Sequence, residues 1–496
     1  KATQGLADYI LEQGTDKKRV AIAFDSRHMS PEFADEAART LAANGIKAFI
    51  FESLRPTPEL SFAVRYLKCA GGIMITASHN PKEHNGYKVY DDTGCQLLPE
   101  AADQVVQYVN EVEDELNIKV FSDEEAYPYM TWIGEEVDEA YYKEVMAIEV
   151  NPGMDKSDFK IVFSPQHGTS NIAVRTCLTR LGYDLVPVLA QCAPDPDFSN
   201  TKSPNPEVPA SYELAIKKAK EVDADVVVIT DPDGDRLGVV AKHNGEYVLM
   251  SGNQSAAVYL EYILSQMKEK GTLPDNAVMY NTIVTSDLGE LVARSYGVDV
   301  EKTLTGFKFI GDKIRKYEQT HEKTFVFGYE ESYGCVIKDF VRDKDAVQAV
   351  LTAAEAGNFY KKQGKDLVDV LNELYAKHGT FKETQIALSK AGAAGAARIK
   401  EIMDNLRKDA PQEIGGVKVV KVEDYGNSTC SDGTTIQLPK SNVLKYYLED
   451  GSWIAARPSG TEPKCKFYFS IKGSDADDAA SKTEVFHKAM MEIIGE

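Results

Sequence analysis

The sequence predicts an α/β protein of three similar mixed-sheet α/β domains followed by an α+β domain. Three observations lead there. A chain of 496 residues, 43% hydrophobic and 27% charged, is globular material for three or four domains. One grammar of buried strand, polar loop, helix, glycine and second strand recurs over residues 19–51, 159–188 and 276–303. Residues 376–496 abandon that grammar for strand runs bounded by turn signals and a terminal helical pattern.

In the first copy, Val-Ala-Ile-Ala-Phe at 20–24 reads as a strand. Ser30 reads as an N-cap before Pro31, and Gly45 as the helix stop before a second strand at 46–51. The second copy repeats this with residues 161–163, Ser170 and Gly182, the third with 278–280, Ser286 and Gly297, and the serines and glycines keep nearly the same intervals. Such βα alternation implies mainly parallel sheets covered by helices. The domains are expected at 1–150, 151–260, 261–375 and 376–496. Within the last, residues 417–422, 453–457 and 464–471 read as strands and 475–494 as a helix. The alanine- and glycine-rich stretch at 391–397 reads as the start of a helix ending near Leu406, because alanine favours helix over linker.

The 77 acidic against 56 basic residues give a net charge of −21, which argues against nucleic acid or an anionic membrane as a main partner. An anionic substrate then needs a locally basic pocket. Seven scattered cysteines without a C-x-x-C pair indicate neither a disulfide framework nor a zinc knuckle and suit a reducing compartment. With no membrane-length apolar run and no signal-peptide pattern at its start, the chain is expected to be cytoplasmic.

Four segments, one per domain, carry candidate chemistry. Thr-Ala-Ser-His-Asn-Pro at 76–81 follows an apolar run and leads to Asn-Gly-Tyr-Lys at 85–88. A serine at the mouth of a sheet is a nucleophile once a base, metal or cation activates it, and His79 and Lys88 are the neighbours in sequence. The plainer alternative is a turn shaped before Pro81. Asp-Pro-Asp-Gly-Asp-Arg at 231–236 follows the buried run 224–230 and places carboxylates where open α/β sheets bind ligands, a set suited to magnesium. An EF-hand is ruled out by Arg236 and Lys242 at the positions of the required glycine and glutamate, while a solvated acidic turn stays open. Thr-Gly-Phe-Lys at 305–308 and Gly-Tyr-Glu-Glu-Ser-Tyr-Gly at 328–334 combine acidic and hydroxyl groups for sugar hydroxyls with Lys308 for a phosphate, although adjacent glutamates are more often surface features. Arg-Pro-Ser-Gly-Thr-Glu-Pro-Lys at 457–464 reads as a phosphate clamp of guanidinium, hydroxyls and glycine amide, or as a plain hairpin turn.

Taken in this order, the segments resemble the α-D-phosphohexomutases, in particular the phosphoglucomutase and phosphopentomutase branch, over almost the whole chain. The resemblance implies four domains around a central active-site cleft and a phosphoserine at Ser78. Magnesium would be held by Asp231, Asp233, Asp235 and the Ser78 phosphate, and Arg236 of the same loop would bind substrate. It implies sugar recognition by Glu330 and Ser332, with Thr305, Gly306 and Lys308 nearby, and phosphate binding by Arg457, Ser459, Gly460 and Thr461. Arg27 and Lys88 resemble a pair that serves proton transfer or phosphate contact, with His79 a further candidate. The implied reaction interconverts glucose 1-phosphate and glucose 6-phosphate through glucose 1,6-bisphosphate. A pentose or mannose phosphate mutase is the alternative, and a magnesium-dependent sugar phosphatase a more distant one. Two departures stand out: a Gly-Thr-x-Gly-x-Arg-Gly segment expected near the start is absent from this numbering, and no histidine lies between Tyr333 and Arg342.

Overall fold

A computed structural model describes residues 1–459 and 463–496. Two compact units are distinguishable, one formed by residues 1–281, 296–301 and 306–370, the other by 282–295, 302–305 and 371–496.

The first sheet comprises β1 (Arg19–Phe24), β2 (Lys47–Phe51), β3 (Gly71–Ile75), β4 (Tyr87–Asp91) and β5 (Met130–Ile133) in the order β4-β3-β1-β2-β5. Its apolar strands are buried on both faces, as parallel strands under helices must be. Val20, Ile22, Ile50, Ile73 and Ile75 pack with Leu6, Ala38 and Leu41 from the flanking helices. Only β4 runs antiparallel, against β3. The second sheet repeats this plan with β6 (Lys160–Ser164), β7 (Asp184–Pro187), β8 (Val226–Thr230), β9 (Leu237–His243) and β10 (Glu246–Met250), in the order β10-β9-β8-β6-β7. Here β8, Val-Val-Val-Ile-Thr, is wholly buried and is followed by antiparallel β9. The third sheet, β11 (Ala277–Thr282), β12 (Asp299–Thr303), β13 (Thr324–Glu330) and β14 (Gly334–Val336), has the order β12-β11-β13-β14 with β14 again antiparallel.

The three sheets thus share a feature the sequence repeat did not expose. In each, one central strand turns into an antiparallel partner, β3 into β4, β8 into β9 and β13 into β14. The intervening loops, residues 76–86, 231–236 and 331–333, contain the first three candidate segments or their cores.

The last sheet consists of β15 (Thr380–Ser389), β16 (Glu413–Ile414), β17 (Val417–Asp424), β18 (Thr429–Cys430), β19 (Leu444–Leu448), β20 (Trp453–Pro458) and β21 (Lys464–Gly473), paired antiparallel throughout. Helices Gly392–Lys408 and Ala476–Ile494 lay Ile399, Met403, Phe486 and Met490 onto Ile454, Phe467 and Phe469. Strand β15, which pairs with β21 along its full length, is absent from the sequence reading because its alternation is weak and its outward face polar.

The predicted helix stops Gly45, Gly182 and Gly297 all adopt positive φ, the conformation that costs glycine least. The predicted serine caps fare differently. Ser30 is the first residue of helix Ser30–Ala43, and its hydroxyl donates to Asp25 rather than receiving a helix amide. Ser170 precedes helix Asn171–Arg180, but its hydroxyl pairs with Thr230. Only Ser286 receives an amide as a cap does, from Leu288. All seven cysteines are free thiols. Among the described residues, no helix is long and apolar enough to cross a membrane.

Candidate active site

Strand β3 delivers the chain to Ser78 in a strained state. Ser78 has φ 53°, the left-handed region that a side chain disfavours, at a cost of about 1–3 kcal/mol that the surroundings must offset. They do so by saturating the loop with hydrogen bonds. The Ser78 amide donates to Thr76 Oγ1 at 2.8 Å, and that hydroxyl donates to Asp25 Oδ2 at 2.7 Å. Arg27 lies beneath the loop with its side chain fully buried. Its Nε donates to Asp25, Nη1 to the carbonyls of Pro81 and His84, and Nη2 to those of Ser78 and Asn80 at 2.6 Å each. A guanidinium has five N–H donors, and every one is used. The expectation that Arg27 contacts phosphate or moves a proton therefore needs correction: it braces the loop. The other face of its guanidinium lies over the Phe198 ring at 5.2 Å.

The hydroxyl of Ser78 remains available to chemistry, donating to Asp231 Oδ2 at 3.0 Å and lying 3.2 Å from His79 Nδ1. Burial, helped by the charge of Arg236, lowers the His79 pKa to about 3, so the imidazole is neutral. Lys88 reaches the site from β4, where it stands opposite Met74 of β3. Burial opposes its charge, but Asp233 at 2.7 Å and Asp235 at 3.5 Å outweigh burial and raise its pKa. As placed, Lys88 is a cation and not a base.

The loop 231–236 turns between β8 and β9 with three buried carboxylates whose ligand atoms lie within 4.8 Å of one another. Gly234 permits the turn: its φ is +70°, and a Cβ there would stand 2.8 Å from the Pro56 ring. Asp231 Oδ1 accepts the amides of Asp235 and Arg236. Asp233 Oδ2 accepts from Thr57 Oγ1 at 2.9 Å and from Lys88, while Asp235 Oδ2 faces Lys88 and Lys344. Asp233 Oδ1 and Asp235 Oδ1 are buried without a hydrogen-bond partner. Burial and the two neighbouring carboxylates push the Asp231 pKa well up. For Asp235 burial is outweighed by Lys344, Lys88 and Arg236, which hold it low. Bare, mutually repelling carboxylate oxygens beside a serine hydroxyl are what a hard divalent cation satisfies, so these residues fit magnesium. A second cluster, His243 with Asp366 and Asp369, lacks this character: Asp366 Oδ1 is taken by the amides of Val368 and Asp369 as a helix cap.

Of the sugar-loop residues, Glu330 ends β13, is 5% exposed and accepts the Gly306 amide through Oε1 at 2.7 Å. Burial raises its pKa to about 7 against the opposing charge of Lys344. The Gly306 amide is thereby engaged within the protein. Ser332 is half-buried on the following turn. Lys308 is half-buried near the start of helix Phe307–Thr320, its pKa lowered by burial. The Thr305 hydroxyl is buried without a partner. Arg236 pairs with Glu207 at 2.7 Å.

Sequence reasoning missed Lys344, which lies 3.2 Å from Asp235 and 3.3 Å from Asp343, with Tyr90 donating to Asp343. The signal is the charged run Arg-Asp-Lys-Asp at 342–345, just beyond the histidine-free interval that follows Tyr333. In the other compact unit, Arg457 lies near the end of β20, its Nη1 3.5 Å from the Tyr468 hydroxyl, and the Ser459 amide donates to the Lys464 carbonyl. Gly460 and Thr461 lie outside the described residues.

Residues 1–116, 139–245 and 251–378 match alpha/beta/alpha domains I, II and III of the phosphoglucomutase/phosphomannomutase family, and 396–488 match its C-terminal domain. A phosphoglucomutase of Staphylococcus epidermidis is 39% identical over 490 residues, covering 97% of this chain and 88% of the relative. Among solved structures, the open form of the Paramecium phosphoglucomutase parafusin superposes with a TM-score of 0.74 at 20% identity, over 100% of this chain and 92% of its own. The N-acetylphosphoglucosamine mutase of Aspergillus fumigatus, in complex with GlcNAc-6P and magnesium, gives 0.55 at 13% identity, over 100% and 99%. These matches span the serine, metal, sugar and phosphate segments in their order along the chain, and the protein belongs to the phosphoglucomutase/phosphomannomutase family.

Proposed function

We propose that this chain is an isomerase that interconverts glucose 1-phosphate and glucose 6-phosphate by passing a phosphoryl group through Ser78, with glucose 1,6-bisphosphate as intermediate and activator. One observation carries the reading. The Ser78 hydroxyl, exposed by a strained and fully braced loop, touches a carboxylate of a buried triad that retains two bare oxygens. The likeness to phosphoglucomutases at 39% identity supports glucose as the sugar.

In the first half-reaction the bond between Ser78 Oγ and phosphorus breaks as a sugar hydroxyl oxygen bonds to phosphorus, and the hydroxyl proton ends on Ser78 Oγ. His79, 3.2 Å from that oxygen, is the candidate to pass the proton. Lys88 and Lys344, held cationic by Asp233 and Asp235, oppose the negative charge of the moving group. Asp231, Asp233, Asp235 and the Ser78 phosphate would hold magnesium, which would supply further charge neutralisation. Glu330 and Ser332 take sugar hydroxyls, with Thr305 and Lys308 beside them. Arg236 and the loop of Arg457, Ser459, Gly460 and Thr461 take the phosphates. The bisphosphate then turns end for end and returns its other phosphate to Ser78. The partners are small sugar phosphates, and free thiols on an acidic chain suit the cytoplasm.

The test is turnover of glucose 1-phosphate, mannose 1-phosphate and ribose 1-phosphate side by side, each with its matching bisphosphate. Glucose should lead, intact-protein mass spectrometry should show one labile phosphate, and Ser78→Ala should lose both turnover and phosphate. Activity retained in that variant, or release of inorganic phosphate in place of isomer, would overturn the proposal.

A further inference from the structure

Helix Thr57–Tyr66 of the first domain starts against the metal loop of the second. The Thr57 amide, one of the donors a helix start leaves without an internal partner, donates to the Asp233 carbonyl at 2.8 Å. Its hydroxyl donates to Asp233 Oδ2 at 2.9 Å, and both residues are wholly buried. Lys88 also donates to Oδ2, at 2.7 Å. Asp233 Oδ1 receives nothing and is equally buried.

A carboxylate with all its donors on one oxygen is fixed in rotation. A half-turn only exchanges two equivalent oxygens, whereas tilting the plane away from Thr57 and Lys88 would lose two hydrogen bonds, which buried polar atoms resist strongly. Lys88 alone defines this orientation poorly, since its ammonium is shared with Asp235 at 3.5 Å on a flexible stem. The threonine hydroxyl is shorter, neutral and held to the same aspartate by its own backbone. We infer that Thr57 is a positioning residue: it presents Asp233 Oδ1 to the divalent cation and makes cation affinity depend on the seating of the first-domain helix against the metal loop. This rests on the magnesium reading of Asp231, Asp233 and Asp235. Partners of this kind commonly contribute about 10–100-fold to metal affinity or activity.

The experiment uses Thr57→Val in the full chain, which keeps the branched shape and backbone amide but removes the hydroxyl, with Thr57→Ser as the rescue. Manganese, as the chloride, is titrated calorimetrically into the metal-free protein, and the magnesium concentration for half-maximal turnover is measured in parallel. Thr57→Val should weaken manganese binding about tenfold or more and raise the magnesium requirement similarly. At saturating magnesium, turnover should recover to within about threefold and the KM for glucose 1-phosphate should hold; Thr57→Ser should restore both metal readouts. Should valine not be accommodated, Thr57→Ala, which only removes volume, makes the same measurement. Unchanged manganese affinity in a folded variant lacking the hydroxyl, or a serine variant no better than valine, would overturn the inference. Asp233→Asn separates the two levels: if it loses manganese while Thr57→Val does not, only the role of Thr57 fails. If Asp233→Asn binds manganese normally, the metal reading fails with it.

Discussion

The serine loop and the metal loop occupy the same hairpin position in consecutive domains and touch through Ser78 Oγ and Asp231, yet they settle their polar atoms in opposite ways. Around Ser78, carbonyl after carbonyl receives a guanidinium N–H of Arg27, and the serine amide is held by Thr76. In the metal loop, the backbone-facing oxygen of Asp231 is saturated, but Asp233 Oδ1 and Asp235 Oδ1 are buried without a hydrogen bond, with Arg236 Nε 3.8 Å from the latter. Saturation imposes shape, since a strained backbone persists only where neighbours over-determine it. Two unpaired carboxylate oxygens converging beside a hydroxyl mark a candidate cation site, because three clustered carboxylates repel one another until a cation or a proton offsets their charge, whereas a lone one such as Glu383 Oε1 can be met by a proton.

Substitutions that break this division should rank accordingly. Asp233→Asn or Asp235→Asn strikes a bare oxygen and should lower turnover by about two or more orders of magnitude, with a smaller change in sugar-phosphate binding. Steady-state kinetics across a magnesium titration measures the split, and full activity after chelation would contradict it. Arg27→Lys strikes the saturated loop. Lysine cannot supply five fixed donors, so turnover should fall about 10–100-fold through misplacement of Ser78, an effect in the range expected when a reacting group shifts by about 1 Å. The pH dependence of the residual activity should keep its wild-type form, because Arg27 carries no transferred proton; a displaced profile would return Arg27 to the chemistry. Glu330→Ala should act more on selectivity, lowering the ratio of glucose to ribose turnover about tenfold, and equal loss on both sugars would make Glu330 structural.

The smallest effect lies in the other unit, where a lone carboxyl rather than a cluster has a buried oxygen without a partner. Glu383 of β15 keeps Oε1 buried without a hydrogen bond, and burial raises its pKa from 4.5 to about 7, opposed by a hydrogen bond with Ser286. The folded protein therefore holds a proton that the unfolded chain releases. Stability from this group should fall as pH rises from 4.5 to 7 and level off above 7. Glu383→Gln should remove that component, gaining about 1–3 kcal/mol at pH 8 relative to pH 4.5 in urea unfolding. A difference independent of pH would show the carboxyl to be ionised in the folded state.

Much of this architecture was legible in the residues. Strand β8 announces itself by Val-Val-Val-Ile-Thr, and the positive-φ glycines mark helix ends because few other residues serve there. Ser78 and the three aspartates stood out because their segments follow buried apolar runs, at the strand ends where open α/β sheets bind ligands. Hydroxyl use was not legible: Ser30 and Ser170 look like caps but are consumed by Asp25 and Thr230, partners set by tertiary packing. Arg27 shows the same limit, since the sequence says that an arginine is near the site but not that its donors are exhausted. Lys344 and Thr57 reach Asp235 and Asp233 from far along the chain: the charged run at 342–345 marks Lys344 without naming its partner, and no local pattern marks Thr57.

The metal loop is sewn to its neighbours on both sides. Thr57 of the first domain donates to the Asp233 carbonyl, while on the third-domain side Ala346 donates to the Gly234 carbonyl and Leu237 to that of Tyr333. An exchange experiment would feel this at once. A chimaera carrying the middle domain of a relative would keep every aspartate and could re-form these backbone bonds only if its loop met the same flanking chain, and the hydroxyl at position 57 would have to be kept for Asp233. Domains that look interchangeable in sequence are, at this loop, tailored as one piece.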